Sequence, residues 1–205
     1  MKERPILFSG EMVRAILDRR KTQTCRVIKG IDGVWKSIEE NHSEVEPNKA
    51  FIQNQYGDYS DMPCPYGKPG DRLWMRERFL LSTGEFAPTL EEEMSKKPIP
   101  MYYADDNPRY RDKDKWKPSI HMPRWASRIL LEIVDIRVER LQDIGMKDII
   151  AEGIDGEHRK GRMASIEQLR SRFRNLWDSI NKKRGYGWAA NPWVWKISFK
   201  VLDKK

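Results

Sequence analysis

Side chains suited to nucleic-acid chemistry concentrate in two short stretches of the chain. Residues 18–26 read Asp-Arg-Arg-Lys-Thr-Gln-Thr-Cys-Arg, and residues 121–128 read His-Met-Pro-Arg-Trp-Ala-Ser-Arg. Arginine pairs with phosphate, and an aromatic ring beside it can stack on an unpaired base. The residues that we expect to bind a nucleic acid or nucleoside are Arg20, Arg26, Arg124, Trp125 and Arg128. An equally favoured alternative for Trp125 is a buried position in the core, between this loop and the long strand that follows it.

Metal and cofactor chemistry find no support in the sequence. The three histidines, His42, His121 and His158, stand alone without ligand spacing, and two cysteines are too few for a zinc site or a disulfide scaffold. The chain also lacks a glycine-rich phosphate loop and the GxSxG, HExxH and CxxC motifs. We therefore expect neither a metal nor a cofactor.

Composition points to a folded protein with an acidic partner. The 205 residues carry 39 Lys or Arg against 31 Asp or Glu, a net charge of +8, and include eight Trp. This many aromatic residues argues against disorder, and the positive charge favours a nucleic acid as partner. There is no apolar run of membrane-spanning length and no visible secretory signal, so we expect a cytoplasmic protein without a membrane partner.

The positive charge is unevenly distributed along the chain. Residues 1–29 and 157–184 are strongly basic, whereas residues 30–61 carry two cations against seven acids. We interpret about 30–64 as a polar, acidic insertion in a long loop and about 81–118 as a second, loop-rich insertion. Residues 1–205 otherwise fit a single domain.

Hydrophobic spacing predicts the elements that must position these residues. Strands are predicted over 5–8, 22–28, 72–79, 99–104, 128–140 and 192–201. Helices are predicted from Ser9 to about 18–20, over 90–95, over 146–152 with Gly153 after the end, and from a capping box at Ser165 to about 181. Apolar residues on both faces of strand 128–140 predict that both faces are covered. This order indicates an α+β fold with a mostly antiparallel or barrel-like sheet.

The stretch 18–26 resembles the ASCH domain family, a branch of the PUA-like β-barrels. The family signature is Gly-x-Lys-x-x-x-x-Arg, and Lys21 and Arg26 match its Lys and Arg. The signature Gly falls on Arg19, which suggests that this helix end does not use a left-handed Gly cap. The strand after Gly70-Asp71, the segment around Glu152 and the Trp-rich last strand also look like the family. The chain is most similar to enterobacterial prophage proteins of this kind, and the resemblance implies a PUA-like β-barrel with flanking helices and insertions.

One branch of that family is an amidohydrolase that acts on N4-acetylcytidine through a Lys, a Thr and a Glu. The resemblance places these roles on Lys21, Thr24 and Glu152, where the Thr hydroxyl would attack an acyl carbon and the Lys would accept its proton. Only a neutral lysine can do so, which burial and the neighbouring arginines favour. Because positions 21 and 24 face opposite sides of a regular strand, Lys21 must lie in the turn before it.

Three readings of this site stay open from the sequence. It can be a hydrolase, acting on a modified cytidine or on RNA, with Lys21, Thr24 and Glu152 catalytic. It can be a reader that binds RNA or a modified nucleoside without turnover. It can also be a structural motif in a prophage regulatory protein whose acidic insertion contacts another protein.

Overall fold

The structure is a computed structural model that describes residues 1–29, 35–39, 49–54, 59–82, 98–106, 116–158 and 162–202. Within these ranges the helices are α1 (Gly10–Leu17), α2 (Met146–Ala151) and α3 (Ile166–Asn181). The strands are β1 (Glu3–Leu7), β2 (Gln23–Val27), β3 (Trp35–Glu39), β4 (Lys49–Asn54), β5 (Tyr59–Pro63), β6 (Arg72–Arg76), β7 (Phe79–Ser82), β8 (Ile99–Tyr102), β9 (Leu130–Arg140), β10 (Glu157–His158), β11 (Arg162–Met163) and β12 (Trp193–Leu202). The helix predicted over 90–95 lies outside the described residues.

A five-stranded sheet in the order β1-β6-β9-β12-β2 organises the molecule. β1 and β6 run parallel and the other neighbours are antiparallel, so the predicted α+β class with a mostly antiparallel sheet is confirmed. The expected closed barrel is not found among the described residues, because β1 and β2 remain edge strands. The two edges nevertheless meet, since the Arg26 guanidinium on β2 donates to the Leu7 carbonyl on β1 at 2.7 Å. The sheet therefore curls until one side chain bridges its edges.

Hydrophobic cores cover both faces of the centre of this sheet. Alternation along β12 sends Trp195, Ile197 and Phe199 into the core that α1 shares, and sends Val194 into the core that α2 and α3 share. The strand predicted over 192–201 is confirmed, and burial of Val194 on its second face goes beyond what its alternation predicted.

A bulge changes which side chains of β9 are buried. The register with β12 shifts between Ser198 and Phe199, and Val134 is left without a partner in the ladder. Ile133 and Ile136 consequently both reach the core, whereas Val134 is 54% exposed. The prediction that both faces of this strand are covered throughout is therefore wrong at Val134.

Three other predictions, two of strands and one of a loop, need correction. The strand predicted over 72–79 is two strands, because β6 ends at Arg76 and β7 leaves the main sheet to pair with β8. β8 ends at Tyr102, where a 3-10 turn over Tyr103–Asp105 takes over from the predicted strand. The loop predicted over about 30–64 contains the antiparallel sheet β3-β4-β5.

The two C-terminal helices begin and end where their capping residues predicted. At the start of α3 the Gln168 amide donates to Ser165 Oγ at 3.3 Å, and the Ser165 amide donates to Gln168 Oε1 at 3.0 Å. After α2, Gly153 adopts a φ of 87°. This left-handed conformation ends the helix and is favourable for glycine.

The end of α1 lacks a glycine cap, as expected, but the backbone at Arg19 is left-handed all the same. This residue has a φ of 58°, so the helix does end in a left-handed residue, although that residue is not glycine. The turn is fixed by amides that follow it, since Arg20 N and Lys21 N both donate to the Ala15 carbonyl at 2.9 Å. The backbone hydrogen bonds impose the conformation, and the Cβ of Arg19 bears a steric cost.

Replacing Arg19 by Gly should therefore stabilise the protein relative to Arg19→Ala. Both variants remove the arginine side chain, but only glycine removes the Cβ that the left-handed conformation penalises. We expect Arg19→Gly to exceed Arg19→Ala by about 1 kcal/mol in the free energy of unfolding, measured by urea denaturation. Equal stability of the two variants would show that the turn relaxes when the side chain is lost.

Candidate functional site

A buried ion pair joins Lys21 and Glu152. The Lys21 ammonium bonds the Glu152 carboxylate and also donates to the Glu152 backbone carbonyl at 2.8 Å. The second carboxylate oxygen accepts the backbone N–H of Cys25. Lys21 is 0% and Glu152 4% exposed, so both side chains are almost completely removed from water.

Backbone contacts from three elements place this pair. Lys21 lies just before β2, in a bridge opposite Glu152 at the end of α2, and the Thr22 amide donates to the Ala151 carbonyl at 2.8 Å. A Cβ on Gly153 would come 2.9 Å from the Lys21 Cβ and 3.1 Å from the Ala15 Cβ. Only glycine allows the ends of α1 and α2 to meet β2 this closely.

The adjacent thiol is shielded from chemistry. Burial first, and then the charge of Glu152, raise the pKa of Cys25 well above its usual range. The reactive form of cysteine is the thiolate, so this thiol is a core residue rather than a nucleophile.

A cavity of about 430 Å³ opens beside this ion pair, between β2 and α3. Thr24, Arg26 and Glu152 form the wall on the β2 side. The opposite wall comes from α3 and the turn after it, and further side chains close the ends. The complete lining is Met12, Thr24, Cys25, Arg26, Val27, Lys29, Tyr66, Glu152, Phe173, Leu176, Trp177, Ile180, Asn181, Arg184 and Tyr186.

The cavity has an excess of positive charge. Arg26, Lys29 and Arg184 line it, and its one acidic side chain, Glu152, is paired with Lys21 outside the lining. Because the charge of Glu152 is balanced, an entering group meets three cations. Trp177 donates its indole N–H to the Tyr186 carbonyl at 2.7 Å, which fixes both aromatic residues in the wall.

The structure brings together only some of the predicted catalytic residues. Thr24 and Glu152 both line the cavity, whereas Lys21 lies behind Glu152 and does not. The Lys21 amine donates to both the carboxylate and the backbone carbonyl of Glu152, so it is engaged in the fold and directed away from the cavity. The arrangement therefore suits a structural lysine better than a general base.

Of the predicted binding arginines beside it, Arg26 lines the cavity and Arg20 does not. Arg26 stacks over the Phe8 ring at 5.0 Å from its centroid, and its buried Nε has no hydrogen-bond partner among the described residues. Arg20 is exposed and pairs with Asp18 at 2.9 Å.

The predicted residues 124–128 do not belong to this cavity. Arg124 pairs with Glu3 at 2.9 Å, and Trp125 is 58% exposed, which excludes its alternative as a core plug. Arg128 forms two bonds to Glu77, at 2.9 and 3.1 Å, and pairs with Asp105 at 2.7 Å. Because two carboxylates already bind its guanidinium group, Arg128 is not free to bind a phosphate.

Sequence reasoning missed the wall that α3 provides. The spacing predicted this helix but gave its residues no part in a site, yet Leu176 and Ile180 border the cavity and Ile180 is 39% exposed. The available signal was the basic sequence Lys182-Lys183-Arg184 directly after this helix.

Comparison with known proteins gives little beyond this geometry. No protein-family model matches the chain. No curated protein matches it. A solved structure, an ASCH domain from Lactobacillus crispatus JV V101, aligns with 98% of this chain and 79% of that chain, at 13% identity and a TM-score of 0.41. Such a similarity is too low to establish a family or a function.

None of the helices in the described ranges is long and apolar enough to cross a membrane.

Breaking the buried pair should be costly. We expect Lys21→Met to lower the free energy of unfolding by about 3–5 kcal/mol, because it leaves the Glu152 carboxylate buried without its cation. Urea denaturation measures this, with Arg20→Ala as the matched control, since its exposed pair with Asp18 contributes about 0–1 kcal/mol.

The double variant Lys21→Met/Glu152→Gln should recover part of that loss. A cost for Lys21→Met no greater than that for Arg20→Ala would contradict a fully desolvated pair.

Proposed function

We propose that the cavity between β2 and α3 binds one nucleotide of RNA or a modified nucleoside carrying a phosphate. The observation that carries this proposal is the combination of aromatic walls with three cations in one cavity. Binding without turnover is the version that the geometry supports best, because Lys21 is held by Glu152 and lies outside the cavity.

The size and walls of the cavity suit a nucleoside. At about 430 Å³ it falls within the range of small-molecule sites. Trp177, Phe173, Tyr66 and Tyr186 line it, and aromatic side chains are the common partners of unstacked bases. Asn181 adds an amide that can bond a base edge.

The charges suit a phosphate. Arg26, Lys29 and Arg184 supply cationic donors, and a phosphate is the anion that such donors bind most strongly. The net charge of +8 on the chain adds long-range attraction for the same ligand.

A hydrolase is the second candidate, and it depends on Thr24. This hydroxyl lines the cavity together with the Glu152 carboxylate, as a nucleophile and the base that takes its proton would. The resemblance to the N4-acetylcytidine amidohydrolase branch suggests amide cleavage on a modified cytidine, and RNA cleavage is the other possibility for the same site.

Binding is tested by isothermal titration of the protein with cytidine, with cytidine 5′-monophosphate and with a four-nucleotide RNA. We expect the monophosphate to bind more tightly than cytidine. Arg184→Ala should weaken the monophosphate about fivefold, equivalent to about 1 kcal/mol, because it removes one phosphate donor. Cytidine itself should bind the variant as it binds the wild type.

Lys183→Ala is the control, since Lys183 is the neighbouring exposed cation and does not line the cavity. Equal weakening by Lys183→Ala and Arg184→Ala would mean that general charge attraction, not the cavity, holds the phosphate. Absence of binding by all three ligands at millimolar concentration would reject the proposal.

Catalysis is tested by mass spectrometry after incubation with N4-acetylcytidine and with a short RNA. If Thr24 is the nucleophile, Thr24→Val should abolish the product while preserving affinity, because valine keeps the shape and removes the hydroxyl. From the geometry we expect no product with the wild type. Cytidine or RNA fragments that disappear with Thr24→Val would instead establish the hydrolase.

A further inference from the structure

A second basic cavity lies on the other side of the turn that borders the first. It measures about 340 Å³ and is lined by Lys2, Arg4, Lys68 and Asp71 together with residues of the turn after β5. Tyr66 of that turn faces the first cavity, and Gly67 and Lys68 face the second. Since consecutive Cα atoms are about 3.8 Å apart, the wall between the two cavities is one turn of backbone thick.

The turn is held rigidly against β1. Asp71 is buried and accepts the Lys2 backbone N–H at 2.7 Å and the Arg4 guanidinium at 3.0 Å. A Cβ on Gly67 would come 2.7 Å from Arg4 Nη1 and 2.8 Å from Asp71 Oδ2, and Gly67 has a φ of 121°. The backbone that carries Lys2 and Lys68 is therefore held in place before any ligand arrives, and Asp71 also fixes the Arg4 side chain.

The charges of this cavity remain mostly unbalanced. Asp71 balances Arg4, which leaves the amines of Lys2 and Lys68 without a carboxylate among the residues that line the cavity. Burial raises the pKa of Cys64, another lining residue, to about 11, so its thiol adds no negative charge at neutral pH. Two free amines on a rigid frame suit a phosphate rather than a base, because the lining has no aromatic side chain to stack on one.

We infer that this second cavity binds the phosphate of the neighbouring nucleotide when an RNA strand places one nucleotide in the first cavity. The inference rests on the proposed function and deepens it, since it makes a strand, and not a free mononucleotide, the preferred ligand. The shared turn is the physical link, because a strand that leaves the first cavity past Tyr66 meets Lys68 directly.

The test compares a four-nucleotide RNA with cytidine 5′-monophosphate on the variant Lys2→Ala/Lys68→Ala. Both substitutions leave the backbone bonds to Asp71 in place. We expect RNA affinity to fall about tenfold and the slope of log affinity against log salt to shrink by about 0.7, the value for one phosphate of a single strand. Mononucleotide affinity should not change, because only the first cavity holds it.

Lys117→Ala/Lys147→Ala is the charge-matched control, since both lysines are exposed and line neither cavity. An equal loss of RNA affinity in both double variants would overturn the inference. RNA that binds no more tightly than the monophosphate would also overturn it and leave the proposed function standing. If neither ligand binds, the proposed function itself fails.

The last probe is inorganic phosphate, and its binding is monitored through the NMR chemical shifts of Lys68. We expect weak, unsaturated shifts at millimolar phosphate. If the shifts saturate with phosphate at the same concentration as with RNA, the second cavity is a site for free phosphate. The inference that it binds the phosphate of an RNA strand is then rejected.

Discussion

The ion pair between Lys21 and Glu152 is the constraint on which the rest of the site depends. Removing two charges from water costs several kcal/mol for each ion, and attraction alone does not restore that. Here the carboxylate also accepts the Cys25 amide, and the ammonium also donates to the Glu152 carbonyl. The pair is stable only while the end of α2 and the start of β2 keep this arrangement. Gly153 belongs to the same constraint, because any side chain there would separate the two elements.

The same pair sets the electrostatics of the cavity. Glu152 faces the cavity, and Lys21 behind it cancels its charge. Without Lys21 the carboxylate would repel an anionic ligand from the wall that Arg26 shares. Loss of activity or binding in a Lys21 variant would therefore follow from stability and charge even if this lysine never takes part in a reaction. A change at Thr24 separates catalysis from binding better, because its hydroxyl carries no charge.

Helices and strands could be predicted where residues close together in the sequence determine them. The capping box at Ser165, the left-handed Gly153 and the alternation of β12 each depend on residues close together in sequence. A prediction was wrong where a distant partner decided the outcome, because the bulge at Val134 arises from pairing with β12. The left-handed conformation of Arg19 was not predicted either, although its cause is local, since the two following amides share the Ala15 carbonyl. No property of a valine or an arginine signals either conformation.

The candidate site, too, was only partly predictable from the sequence. The resemblance led to Lys21 and Glu152, and the structure pairs them although 131 residues separate them in the sequence. It could not show which of them faces the cavity, since that depends on how α2 meets β2. The α3 wall was hidden for another reason. An apolar stripe such as Leu176 to Ile180 has the same spacing whether it seals a core or borders a cavity, and here it borders a cavity that Arg26 and Arg184 also line. When one apolar face of a helix contributes both to a core and to a binding site, the site can be identified only once the packing of that helix is known.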